Sequence, residues 1–355
     1  MQPAMRTPSD VDVWKSFAAT TFRQRKRLSF STQQRMPMTR HPRLPSESAL
    51  GAIGNTPVVK LRRVVPEGSA SVYVKLEYFN PTGSYKDRMA KTMIEQAEAR
   101  GTLKPGMTVV EASGGSTGSS LAFVCAVKGY RFRIVSSNAF AQEKLKTMAA
   151  FGAEVELTHS PSGKISANLI PSMIQRSKEI ADGGNFYLAD QFNNRDALLG
   201  YEQIGVELVK QFPNGISAFC GAVGVAGMVM GVSRALKAAT QDTRIVVLEP
   251  ATSPLIARGH AGEHHVEGIG IGFVPPLLDR ELYDEVRAIS EDEGHRMCRR
   301  LAREEVLLAG TSTGLNVTAA IQLARELGPD ATVVTVASDT GLKYMNGNLF
   351  SAPSA

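Results

Sequence analysis

The chain has 355 residues, 43% of them hydrophobic and 21% charged, the composition of a globular protein and not of a disordered or fibrous one. At roughly 100–200 residues per domain this length predicts two lobes, and no apolar run approaches the roughly 18 residues of a membrane-spanning helix. The net charge of +6 lies entirely in residues 1–48, which carry nine basic and three acidic side chains, while the remainder holds 31 of each. A nucleic-acid protein would carry its basic stripe on the folded body, so that class is excluded along with membrane proteins. Cys125, Cys220 and Cys298 are scattered, without CxxC spacing. This excludes a disulfide scaffold and a cysteine zinc site, and suits a reducing compartment.

Residues 1–48 are a polar leader rich in Ser, Thr, Gln and Arg. Two readings stay open: a flexible arm or over-long start, and an organellar transit peptide, since Arg-rich, acid-poor leaders have that character. From residue 54 onward strands and helices alternate. A strand at 71–76 precedes a helix at 87–100, where Met89, Met93, Ile94 and Ala97 recur at helical spacing. A strand at 108–111 leads through a Gly/Ser turn into a helix at 119–127. Strand 132–135, helix 142–151, strand 154–157 and helix 172–181 follow. In the second half, strand 217–220 meets a Gly-rich turn and helix 227–239. Strand 244–248, helices 291–304 and 315–327, and strand 331–336 complete the series. This alternation predicts an α/β protein of βαβ units with mostly parallel sheets in both halves.

Ligands in such folds sit where strand ends feed helix N-termini. The turn Glu111-Ala-Ser-Gly-Gly-Ser-Thr-Gly118 offers amides and hydroxyls suited to a carboxylate. The turn Gly221-Ala-Val-Gly-Val-Ala-Gly227 lets backbone approach a phosphate. It also permits a loosened dinucleotide reading, with Glu249 as the ribose-binding acid after strand 244–248. Lys86, just before a helix in Asn80-Pro-Thr-Gly-Ser-Tyr-Lys-Asp-Arg88, is either a solvated lysine or an amine nucleophile for a carbonyl. The pair His264-His265 reads as loop residues, and no metal site is expected.

Taken together, several segments resemble the cysteine synthase / cystathionine β-synthase family, pyridoxal-phosphate enzymes of fold type II. They are Gly54-Asn-Thr-Pro57, Lys75-Leu-Glu77, Asn80–Arg88, Phe151-Gly-Ala-Glu154, Gln191-Phe-Asn193, Glu267–Pro275 and Leu308–Asn316. The resemblance implies a two-lobed fold like the tryptophan synthase β chain. Its large cofactor lobe would combine 49–79 with 186–347, its small substrate lobe would span 80–185, and 348–355 would form a tail. It also implies pyridoxal 5'-phosphate as cofactor, a small amino-acid substrate, a homodimer and a cytoplasmic enzyme. Lys86 would bind the cofactor aldehyde as a Schiff base and later carry the α-proton. Ser312 would meet the pyridine nitrogen, Ser116 the phenolic oxygen, and Gly224, Val225, Ala226, Gly227 and Met228 the phosphate. Ser113, Gly114, Thr117 and Gln175 would hold the substrate carboxylate.

Departures from the family pattern bear on these roles. Ser116 stands where the family has asparagine, and Val225 and Met228 stand where its phosphate loop has threonines. The implied activity is β-replacement on an O-acetylserine-like donor, giving cysteine or a related β-substituted alanine. A β-eliminating lyase yielding pyruvate and ammonia, and a non-catalytic descendant, are the alternatives.

Overall fold

In a computed structural model, which describes residues 45–161, 163 and 168–351, the strands build two sheets. The larger has the order β1 (Val58–Lys60), β2 (Ser71–Leu76), β10 (Thr332–Ala337), β7 (Ala218–Ala222), β8 (Arg244–Pro250), β9 (Glu285–Ile289), parallel throughout except for β1 against β2. The smaller has the order β5 (Glu154–Thr158), β4 (Arg131–Ser137), β3 (Thr108–Ala112), β6 (Phe186–Leu188), all parallel. Parallel strands are covered on both faces, so their sequences run apolar without alternation. β3 and β7 are buried at every position.

The helices of ten or more residues are α1 (Lys86–Ala99), α2 (Ser116–Lys128), α4 (Leu169–Ala181), α5 (Asp196–Gln211), α6 (Gly227–Ala239), α8 (Glu291–Arg300) and α9 (Thr311–Leu327). Two shorter ones, α3 (Gln142–Ala150) and α7 (Leu255–Arg258), complete the set among the described residues. The main core joins α1, α2, α5 and α6 to both sheets through residues such as Met89, Leu121, Tyr201, Val229 and Phe219. A second core packs α9 against β2 and β10. All three cysteines are free and buried.

Every strand and helix expected from the sequence is present, with shifted ends. α2 and α9 begin three and four residues earlier than their apolar spacing indicates, at Ser116 and Thr311. Their first turns consist of Ser, Thr and Gly, which carry no apolar period because those turns form loop ends rather than core faces. Helix 291–304 divides: α8 stops at Arg300, and Leu301–Glu305 wind as a wider π turn. β6 pairs with β3, so the smaller sheet runs to Leu188, three residues past the lobe boundary at 185. The basic leader falls outside the described residues over 1–44, as does the tail over 352–355.

Sequence spacing gave no sign of β1, β6, β9 or α5. α5 is hidden by Gly200 and Gly205, since glycine costs about 1 kcal/mol in a helix interior. Both glycines are there for close approach. A Cβ at Gly200 would lie 2.6 Å from Arg88 O, and one at Gly205 would lie 2.6 Å from Ala235 Cβ. Gly200→Ala should therefore destabilise by about 1–3 kcal/mol through overpacking, despite the gain in helix propensity. A denaturant melt should show a lower midpoint, and an unchanged or raised midpoint would refute the packing argument.

Candidate active site

Three buried charges, Lys75, Glu77 and Arg88, and the partly exposed Glu207 fix the start of α1. Arg88 donates from Nε and Nη2 to Glu77 at 2.7 and 2.8 Å, and from Nη1 and Nη2 to Glu207 at 2.7 and 2.9 Å. Lys75 Nζ completes the set with Glu207 at 2.7 Å, Gln211 Oε1 at 3.0 Å and Thr56 O at 3.2 Å. Burial lowers the Lys75 pKa, against the pull of Glu207. Burial would raise the Glu207 carboxyl, yet Arg88 and Lys75 overcome it and hold the group at about 2. Asn80 ties in the loop, accepting from Gly54 N at 2.8 Å and donating to Glu77 O at 2.6 Å. The three sequence segments 54–57, 75–77 and 80–88 thus converge on one network.

Lys86 is the first residue of α1, half-buried. Its ammonium lies 5.1 Å from the Tyr85 ring centroid and 5.8 Å from that of Tyr201. Burial lowers its pKa to about 8, while the Glu111 and Asp339 carboxyls oppose the shift. Its neighbour Asp87 accepts from Thr82 N at 2.8 Å and Ser120 Oγ at 2.6 Å, joining the Lys86 loop to α2. Lys86 is therefore an amine with an unusually large neutral fraction near neutrality, which is what a nucleophile for a carbonyl requires.

The turn after β3 lies where the strand order reverses in the smaller sheet, between β3 and β6, the position at which α/β folds bind ligands. Ser113, Gly114, Ser116 and Thr117 come together there. A Cβ at Gly114 would sit 2.0 Å from the Phe140 ring, so only glycine fits. From the loop after β6, Gln191 reaches across: Thr117 Oγ1 donates to its Oε1 at 2.7 Å, and its Nε2 donates to Ala112 O at 3.1 Å. Glu111 bridges the same two loops, accepting from Ala112 N at 2.8 Å and Gln191 N at 3.0 Å. Burial pushes the Glu111 carboxyl up to about 8, in opposition to those two amides.

Gln175 does not join this group. It is exposed on α4 and donates to Glu179 at 3.3 Å. Leu169, Met173, Ser177 and Ile180 form the buried face of that helix, and Gln175 lies two positions from Met173, about 200° around the helix at 3.6 residues per turn. The glutamine at the turn is Gln191, which stands in the sequence just after a strand end, as the 113–118 turn does.

The second turn follows β7, beside the reversal between β10 and β7 in the larger sheet. Gly224 packs on the backbone of 268, where a Cβ would lie 2.2 Å from Gly268 O. Ala226 adopts a left-handed conformation, φ +63°, which is uncommon for a residue with a side chain and clusters at ligand loops. Ala226 and Met228 sit in the main core, and Val225 is buried. Gly227 begins α6 against the Tyr201 ring. What this turn presents is backbone: the free amides of a helix N-terminus, which suit a phosphate. Glu249 does not read a ribose here, because its carboxylate accepts from Ile256 N and Ala257 N at 2.8 Å each and caps α7.

Ser312 is buried in the first turn of α9, and its hydroxyl makes no side-chain hydrogen bond among the described residues. Next to that turn, a Cβ on Gly310 would lie 2.2 Å from Asp339 Oδ1, a buried oxygen without a partner. His264 caps Gly270 O at 2.9 Å and the exposed His265 pairs with Glu291 at 3.0 Å, which leaves both rings engaged in loop structure. A low-pKa amine, an amide-lined turn and a hydroxyl at a helix start fit an aldehyde-bearing, phosphorylated pyridine: Lys86 would hold its carbonyl carbon, Gly224–Met228 its phosphate and Ser312 its ring nitrogen.

The family model that matches residues 49–339 is that of the pyridoxal-phosphate dependent enzymes. The chain belongs to this family. Within it the chain resembles cysteine synthase of Staphylococcus aureus strain N315, 42% identical over 309 residues that cover 86% of this chain and 98% of the relative. The crystal structure of O-ureido-L-serine synthase matches with a TM-score of 0.82 at 34% identity, covering 88% of this chain and 97% of that one. Cysteine synthase from Entamoeba histolytica also matches at 0.82, with 29% identity over 93% and 96% of the two chains. The likeness spans the whole described body, so the cysteine synthase / cystathionine β-synthase grouping, fold type II and dependence on pyridoxal phosphate all hold for this enzyme.

Two expectations follow. Lys86 in cofactor-free enzyme should be tagged by a small aldehyde and borohydride with a half-maximal rate near pH 8, read by peptide mapping, whereas an unperturbed lysine would titrate at 10.5. Glu207→Ala should cost about 3–5 kcal/mol, because it leaves Arg88 and Lys75 buried without their shared partner. The Glu207 contribution, from a depressed pKa, should be complete above the ordinary glutamate value of 4.5 and decline as pH falls toward about 2. Urea melts of both proteins across that range measure it.

Proposed function

We propose that this enzyme carries out β-replacement on an O-activated serine, with O-acetylserine as the donor and sulfide as the nucleophile, giving cysteine. The observation that carries this reading is Ser312: a hydroxyl, and no carboxylate, stands at the start of α9 in the place given to the pyridine nitrogen. When bound, pyridoxal phosphate withdraws electrons from the substrate α-carbon. A hydroxyl at the ring nitrogen does not hold that nitrogen protonated, so the withdrawal is moderate and favours loss of a β-leaving group over accumulation of a carbanion. Lys86, with its pKa near 8, holds the cofactor and then takes the α-proton on Nζ. The 113–117 turn and Gln191 bind the substrate carboxylate, in the role expected for Gln175. A homodimer, as the family resemblance implies, completes the proposal, with a cytoplasmic location on the strength of the bacterial relatives.

The retained low-pKa lysine argues against a non-catalytic descendant. Purified enzyme given O-acetylserine should form cysteine only when sulfide is present, and Lys86→Ala should lower turnover by at least about 10²–10⁴, the scale of a lost acid–base group. Pyruvate and ammonia released at the same rate with or without sulfide would establish the eliminating lyase instead.

A further inference from the structure

Lys343 lies in the short turn Gly341–Tyr344 that follows β10. That turn is held on several sides: Thr340 N donates to Gly83 O at 3.0 Å, Gly341 N to Leu308 O at 3.0 Å, and Tyr344 Oη to Asp339 Oδ2 at 2.8 Å. The long side chain leaves this fixed base and donates from Nζ to Ser116 Oγ at 3.1 Å, linking the larger sheet to the first residue of α2. Among the described residues no ion pair closes on this ammonium, although its surroundings are acidic. Asp87 is taken up by Thr82 and Ser120, and Asp339 accepts from Tyr344 on Oδ2 alone. The other nearby lysine, Lys144, is neutralised by Glu267 and lies 4.9 Å from the Tyr344 ring centroid. Burial lowers the Lys343 pKa, with Asp339 opposing. Ser84 bridges to Asp339, and Tyr85 N donates to Ser338 O at 3.0 Å, so the segment that leads into the Lys343 turn lies against the loop that carries Lys86.

A hydroxyl has one proton and two lone pairs. Because Ser116 Oγ accepts from a cation, its own proton is left to donate, and donation strengthens when the same oxygen accepts a charge-assisted bond. We propose that Lys343 is a positioning residue which, through Ser116, supplies the site with a charged hydrogen-bond donor for an anionic oxygen of the bound cofactor or donor substrate. The pair would do together what a longer amide at position 116 does alone. This rests on the proposed function for the identity of the ligand.

Titration of cofactor-free enzyme with pyridoxal phosphate, followed by absorbance, tests it. Lys343→Met and Ser116→Ala should each weaken uptake about tenfold or more, the order of one lost charged hydrogen bond, and should move the long-wavelength band toward the near ultraviolet. The double variant should be no worse than either single one, and Ser116→Asn in the Lys343→Met background should restore the band. If the oxygen belongs to the substrate, uptake and band stay normal and KM for the donor rises about tenfold with kcat less affected. Lys343→Gln is the second variant should the methionine form fail to fold. Unchanged uptake, spectrum and KM in both single variants would overturn the inference. Wild-type enzyme that binds no pyridoxal phosphate would instead refute the proposed function.

Discussion

The ion network of Lys75, Glu77, Arg88 and Glu207 is the constraint on which the site depends. Its members come from β2, the turn after it, α1 and α5, and they lie in the interior. Taking such charges out of water costs several kcal/mol per ion, so a network of this kind adds little net stability over an apolar core of equal volume. Its value is geometric. Arg88 uses its planar fork on two carboxylates at once, which sets the rotation of α1 about its axis and therefore the direction in which Lys86, two residues earlier, leaves the helix. Gly200 lets α5 press against the Arg88 carbonyl from the other side. The reactive amine is thus held by a scaffold that leaves its own surroundings free for tuning.

In both sheets the strand order reverses beside a Gly-rich turn, and this explains why residues distant in sequence come together. The turn at 113–118 meets Gln191 because β3 and β6 are neighbours, although 74 residues separate Thr117 from Gln191. The turn after β7 and the Asp339 segment after β10 are adjacent for the same reason. Glu111 fastens the first pair of loops to each other through two amides.

Much of this was legible in the sequence. The apolar runs gave the parallel sheets, and the two Gly-rich turns gave the ends of β3 and β7. The segment Asn80–Arg88 marked the amine. What escaped notice did so for physical reasons. α5 carries glycines that disfavour a helix in isolation and permit one only against its neighbours. β6 and β1 are three residues long, too short to display a period. Gln191 lies in one of the matching segments, but its place at the 113–118 turn depends on pairing between strands far apart in the chain. Gln175, by contrast, could have been set aside from the sequence, since the apolar spacing of α4 already turns it away from the core. The dinucleotide reading of Glu249 failed because two local amides claim its carboxylate.

The thiols of Cys125, Cys220 and Cys298 are enclosed in the interior, and burial pushes each of them up to about 12. Only thiolates attack disulfides and electrophiles, and at pH 7 a group titrating at 12 is ionised in about one molecule in 10⁵. The three side chains are thereby shielded from persulfidation by polysulfides and from mixed-disulfide exchange in solution.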